Sequence, residues 1–192
     1  MRFRYPVVLG LEGKPCLVIG GAFGAVEKVR GLEEAGAVVT RKPDYQAGDL
    51  ERFYLVIAAT GDSEMNGRIA AEAERRGILF NAVDDPPHCA FILPAIHRQG
   101  DLTVAFSTGG KCPAVAVRLR DRVAREIGPE YERLVEMLGE LRQEIAARIP
   151  DFEERRRLWY RLADSEALDL LRDGAAGQAQ GVLRELVERT SP

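Results

Sequence analysis

Two short apolar runs, each followed by a glycine-bearing turn and then by helical spacing, set the plan of the first half of the chain. Leu17, Val18 and Ile19 form the first run. A run without polar alternation reads as a parallel strand covered on both faces. Ala25, Val26, Val29 and Leu32 then recur at helical spacing, and Gly36 supplies a stop. Val38 to Thr40 is a second short strand, and Tyr54 to Ala59 carries the next apolar run. The helix predicted from about Glu64 puts Ile69, Ala70 and Ala73 on its apolar side and Glu72, Arg75 and Arg76 on its polar side, and Gly77 ends it. Ile78 to Phe80 is another buried strand. Phe91 to Ile96 is apolar, Leu102 to Phe106 is a strand, and His97 to Asp101 between them reads as a hairpin loop. Pro113 opens a helix expected to run to about Ile127.

From Pro129 the pattern is helical throughout. Tyr131, Leu134, Val135, Leu138, Leu141 and Ile145 make one stripe, and Pro150 stops it. Asp151 with Glu154 reads as a cap for a helix carrying Phe152, Leu158 and Trp159. Gly174 and Gly177 break the pattern before Val182, Leu183, Leu186 and Val187.

Alternation of strand and helix followed by helices alone predicts an α/β fold. A Rossmann-like parallel sheet over residues 1–113 precedes a dimerisation and helical C-terminal region over 114–192. The sheet is expected to be trimmed. Only thirteen residues, Arg41 to Phe53, separate the second strand from the next, and they include Pro43, Asp44 and Gly48. A parallel crossover needs about a dozen residues, so this span holds one connection and no additional strand.

The turn through Gly20, Gly21, Ala22, Phe23 and Gly24 aims backbone N–H groups and a helix dipole at one point, which suits a pyrophosphate. It departs from the full dinucleotide fingerprint. Counted from Gly20, the third position is Ala22 and the sixth is Ala25. An ordinary strand–turn–helix that binds nothing is the alternative. The position of the usual ribose-binding acid, about twenty residues on, falls at Thr40, Arg41 and Lys42. Two cations there fit a 2′-phosphate, or are solvated loop residues; Asp44 is a nearby ribose candidate.

Asn81, Asp84 and Asp85 lie past the carboxyl end of a strand, where open parallel sheets gather ligands. Paired carboxylates there can do acid–base work, or simply make a turn before proline. The turn reading is adopted for Asp85, and Asp84 stays open between the two. Ser107, Thr108, Gly109, Gly110, Lys111 and Cys112 form a second glycine-rich loop that suits phosphate or carboxylate. The three cysteines do not make a disulfide framework. His88 and Cys89 are adjacent, point to opposite faces of an extended segment and make a poor chelate, so no metal site is assigned. A net charge of −3 gives no reason to expect nucleic acid, and no apolar run approaches a membrane span. A cytoplasmic location is expected.

Six segments together resemble the precorrin-2 dehydrogenase family, the dehydrogenase and ferrochelatase module of sirohaem synthase. They are Pro15 to Gly21; Leu55 to Thr60 with Asn66; Asn81 to Pro86; Phe91 to Ala95; Ser107 to Pro113; and Asp151 to Trp159. The resemblance runs from about Tyr5 to Leu162. It implies oxidation of the tetrapyrrole precorrin-2 to sirohydrochlorin with NAD as hydride acceptor, NADP being the alternative that Arg41 and Lys42 raise, and in some members insertion of Fe2+. It implies a homodimer. Asp84 falls on the family's essential aspartate, a proton acceptor. The resemblance places cofactor binding at Gly20, Gly21, Ala22, Phe23, Gly24, Thr60 and Asn81, and substrate binding at Ser107, Thr108, Gly109, Gly110 and Lys111. The sequence departs from the family at Ala22, where a third consecutive glycine is usual, in the short stretch after Thr40, and at Thr108 and Cys112, where serines occur. Two other functions stay open: a tetrapyrrole chelatase or carrier without a dinucleotide, and a non-enzymatic dimerising partner.

Overall fold

The structure is a computed structural model and describes residues 5–22 and 24–190. The chain divides into two compact units, Met1–Leu93 with Gly109–Lys111, and Pro94–Thr108 with Cys112–Pro192.

The first unit is built on four parallel strands: β1 (Pro15–Ile19), β2 (Val38–Lys42), β3 (Leu55–Ala58) and β4 (Leu79–Ala82). Their order is β2-β1-β3-β4, with Leu17 beside Thr40 and Val56, and Val56 beside Phe80. Helix α1 (Ala25–Glu34) follows β1 and α2 (Ser63–Arg76) follows β3. Alternate residues of β1 enter two different cores. Leu17 and Ile19 pack with Ile69 and Ala73 of α2; Cys16 and Val18 pack with Val29 and Leu32 of α1. A strand with helices on both faces has no polar side, which is why residues 16–19 are apolar without interruption.

Helix ends follow local chemistry. Gly36, at φ 78°, ends α1, with its N–H on Glu33 and that of Ala37 on Leu32. Asp62 caps α2, its carboxylate accepting from the N–H groups of Glu64 and Met65 at 2.9 and 3.2 Å.

The sheet is trimmed as the short span requires. From β2 at one edge the chain crosses to β3 through residues 43–54, which hold turns and no helix. Leu50 anchors this connection and is fully buried. A second anchor corrects the polar face expected for α2. Glu72 is 4% exposed and accepts from the Tyr45 hydroxyl at 2.6 Å, the Gly48 N–H at 3.0 Å and Arg76 Nε at 2.9 Å. The connection folds over α2 and buries the carboxylate that helical spacing places toward solvent.

The second unit opens with an antiparallel hairpin of β5 (Ala95–Gln99) and β6 (Leu102–Phe106). The hairpin loop is Gly100 and Asp101 alone, with Gly100 at φ 53°. His97 is therefore a strand residue, and its Nε2 lies 2.9 Å from the carbonyl oxygen of Ile127. Five helices follow: α3 (Pro113–Val123), α4 (Pro129–Arg148), α5 (Phe152–Ala163), α6 (Ala167–Arg172) and α7 (Ala176–Glu188). Helix α3 ends four residues before the expected Ile127, in turns over 124–126. Leu134, Met137, Leu141 and Ile145 of α4 share one core with Leu158 and Leu162 of α5 and Leu183 and Val187 of α7. Asp151 caps α5, accepting from the Glu154 N–H at 2.8 Å. Among the described residues no helix is long and apolar enough to cross a membrane.

Candidate active site

Three strand ends of the first unit converge on the glycine turn. The Gly20 N–H donates to the carbonyl of Lys42 at the end of β2, and the Ala22 N–H to that of Ala59 after β3. Gly20 has φ 89°, and a Cβ added there would lie 2.3 Å from the Ala59 carbonyl oxygen. Only glycine meets both conditions. Gly21 borders open space, with nothing within 4 Å of an added Cβ. Gly24 is the N-cap of α1 at φ 88° and offers no side chain to its first turn, where the Ala25 N–H turns back to the Ala22 carbonyl at 3.1 Å. Ala22 is exposed and has no positive φ, so its backbone is one that alanine adopts freely. An open cradle at Gly21 beside a helix start without a side-chain cap fits a pyrophosphate. Phe23 lies outside the described residues.

Opposite this turn, the strand ends of β3 and β4 carry a connected polar array. The Thr60 hydroxyl accepts from the Asp62 N–H at 3.0 Å and donates to Asn66 Oδ1 at 2.8 Å. Asn66 Nδ2 donates to Asp85 Oδ2 at 3.0 Å, and His88 Nδ1 lies 2.8 Å from that same oxygen. Ser63 also bonds to Asp85. Burial works to raise the Asp85 carboxyl, but bonds from His88, Asn66 and Ser63 outweigh it and hold the group below the usual carboxylate range.

Asp84 stands at the tip of this array, in the turn closed by the Asp85 N–H on Ala82. At φ 57° it is the one non-glycine among the described residues with a left-handed backbone, and its side chain is exposed. Val83, one residue earlier, comes within 3.6 Å of a Cβ placed on Gly24. The glycine turn and the Asp84 turn are thus neighbours. Asn81 is buried at the end of β4, and its Nδ2 donates to the carbonyl of Phe91 at 2.9 Å. It holds the segment after the turn in place. Cys89 Sγ receives the Ala82 N–H at 3.2 Å, a structural use of that thiol. Among the described residues no three metal-binding side chains cluster.

At the end of β2, Lys42 pairs with Asp49. That bond, with one from the Gln46 N–H, keeps the Asp49 carboxyl below its ordinary range. Arg41 is exposed, as is Asp44. In the second glycine loop, Gly109 and Gly110 have φ 65° and 83°, and the Thr108 hydroxyl accepts from the Cys112 N–H at 3.1 Å. Ser107 and Lys111 are exposed.

A model of the sirohaem synthase dimerisation region matches residues 130–187, and one described as "Putative NAD(P)-binding" matches residues 39–95. Sirohaem synthase of Methylococcus capsulatus is 36% identical over 95% of this chain and 43% of its own length. Along nearly its whole length the chain is thus similar to one part of sirohaem synthase. The sirohaem synthase of Thioalkalivibrio sulfidiphilus is 34% identical over 96% of this chain and 42% of its own length. The chain spans less than half the length of these curated relatives. A solved structure described as SirC, precorrin-2 dehydrogenase, shares the fold, with a TM-score of 0.71, 20% identity, and coverage of 97% of this chain and 100% of that one. The helical part of the chain is thus the part that is similar to the dimerisation region of sirohaem synthase. Sequence reasoning missed the buried roles of Glu72 and Asn66, because each is polar at a helical position whose neighbours come from distant segments.

Proposed function

We propose that this chain is a precorrin-2 dehydrogenase that oxidises precorrin-2 to sirohydrochlorin with NAD or NADP, acting as a cytoplasmic homodimer. One observation carries the reading beyond those similarities: an exposed carboxylate, Asp84, is held in a costly backbone conformation beside a glycine turn that has no side-chain cap. Left-handed backbone at a non-glycine residue costs about 1–2 kcal/mol and persists where surrounding structure enforces it.

Residues 1–113 hold the dinucleotide in this reading, and 114–192 form the dimer and helical region. Gly20, Gly21, Ala22, Phe23 and Gly24 receive the pyrophosphate. Thr60 and Asn81 line the same sheet end. The bound nicotinamide supplies the hydride acceptor. Dehydrogenation removes a hydride and a proton, and the Asp84 carboxylate takes the proton. Ser107, Thr108, Gly109, Gly110 and Lys111 hold the carboxylates of the tetrapyrrole through backbone donors, hydroxyls and one ammonium. Fe2+ enters as a substrate, inserted into the sirohydrochlorin so formed.

The test is an anaerobic assay with precorrin-2 and either NAD or NADP, following reduced nicotinamide. Asp84→Asn is the variant to compare, since asparagine tolerates left-handed backbone where alanine is strained. Turnover by wild type and its loss in Asp84→Asn support the reading. A folded wild type without turnover overturns it. Fe2+ insertion into supplied sirohydrochlorin then marks a chelatase without dinucleotide.

A further inference from the structure

The backbone at Asp84 is unusual, and the residue after it is the most heavily bonded carboxylate of the turn. The Asp85 side chain is 11% exposed and receives Asn66 and Ser63 from α2 and His88 from the 3-10 turn at Pro86–His88. Asn66 is itself fixed, at 2% exposure, by Thr60 at the end of β3. Asp85 therefore ties the turn to two elements on either side of it. An untied type II-like turn favours glycine or asparagine at its third position, which here is Asp84.

We infer that Asp85 is a positioning residue: by accepting from Asn66, Ser63 and His88 it locks the Ala82–Asp85 turn and holds Asp84 in the left-handed conformation that presents its carboxylate. This rests on the reading of Asp84 as proton acceptor. Asp85 is unsuited to take the proton itself, because its oxygens are engaged by three donors. His88 is unsuited as well. Its Nε2 lies 3.2 Å from where a Cβ on Gly67 would stand, so that end of the ring faces helix α2. The depressed proton affinity of Asp85 agrees with a carboxylate used as a fixed acceptor.

The experiment compares Asp85→Ala with Asp85→Asn in the full chain, by kcat, KM and crystal structure. Asparagine keeps an oxygen for Asn66 and His88 and an amide for Ser63, so it retains the lock while losing the charge. The expected result is a fall in kcat of about tenfold or more for Asp85→Ala with KM within about twofold, as misplacement of a reacting group gives. Asp85→Asn restores kcat to within about threefold of wild type. Should Asp85→Ala fail to fold, the double variant Ser63→Ala with His88→Ala strips two donors at solvent-accessible positions and carries the same expectation. Wild-type kcat in the lock-breaking variant overturns the inference, as does equal loss in Asp85→Asn, which would assign the effect to charge. If wild type itself does not oxidise precorrin-2, the functional reading fails. The crystal structure then decides: φ at Asp84 turning negative in Asp85→Ala supports the lock, and φ staying near 57° overturns it.

Discussion

The Tyr45 hydroxyl donates to Glu72 Oε2 at 2.6 Å, joining the connection between β2 and β3 to the middle of α2. The connection it fixes holds turns and no helix. Tyr45→Phe keeps the ring and removes a hydrogen bond to a charged, buried acceptor. It should cost about 1.5–3 kcal/mol, read by urea unfolding at neutral pH. A loss below about 0.5 kcal/mol would show the contact to be incidental.

The same pair predicts how stability depends on alkali. Burial, and then the Glu72 hydrogen bond and charge, push the Tyr45 phenol up from 10.0 to about 12. Between these values the folded chain holds a proton that the unfolded chain has released. Stability from this group is therefore complete below pH 10 and falls as pH rises toward 12. Tyr45→Phe should flatten that part of the unfolding curve, and an unchanged slope would assign the alkaline loss elsewhere.

Acid acts on Glu72 in the opposite sense. Burial raises it, but bonds from Tyr45 and Gly48 and the charge of Arg76 outweigh burial and hold it below its ordinary 4.5. Its contribution is present above that value and is lost as pH falls through the lower folded value. Glu72→Gln should shrink the acid limb measured between about pH 5 and 2, leaving the portion that Asp49 and Asp85 contribute in the same direction.

Gly20→Ala tests the cradle. A methyl 2.3 Å from the Ala59 carbonyl, at φ 89°, forces backbone to move. The expected loss is at least about 2 kcal/mol with dinucleotide affinity lowered further. Gly21→Ala, with open space around it, should leave the melting temperature unchanged and affect dinucleotide affinity alone.

Much of this was legible in the residues. Uninterrupted apolar runs at 17–19 and 55–58 gave parallel strands because helices cover both faces. The count from Arg41 to Phe53 gave the missing strand. Asp151 with Glu154 gave a helix cap. What the sequence withheld depends on distant partners. Glu72 sits in a polar helical position and is buried only because residues 45–48 fold over it. His97 pairs with a carbonyl thirty residues away. The left-handed backbone of Asp84 has no local signal, since aspartate before a second aspartate and proline fits several turns.

Cofactor choice is expected to follow Arg41. It is exposed at the end of β2, whereas Lys42 already pairs with Asp49. Arg41→Glu should shift the NADP-to-NAD ratio of kcat/KM toward NAD by about tenfold or more, the value of one hydrogen bond to a charged group. An unmoved ratio would remove Arg41 from the cofactor site.

Because the sheet stops at β2, that strand is an edge: it pairs with β1 on one side and with no other described strand. Val38 on it is 61% exposed. An open strand edge invites pairing with another chain, and charge is the usual deterrent. Arg41 and Lys42 are the charges on this edge. They act as gatekeepers against edge-to-edge aggregation whatever they do for a nucleotide. Neutralising both would lower the solubility of the chain at high concentration before it altered any rate.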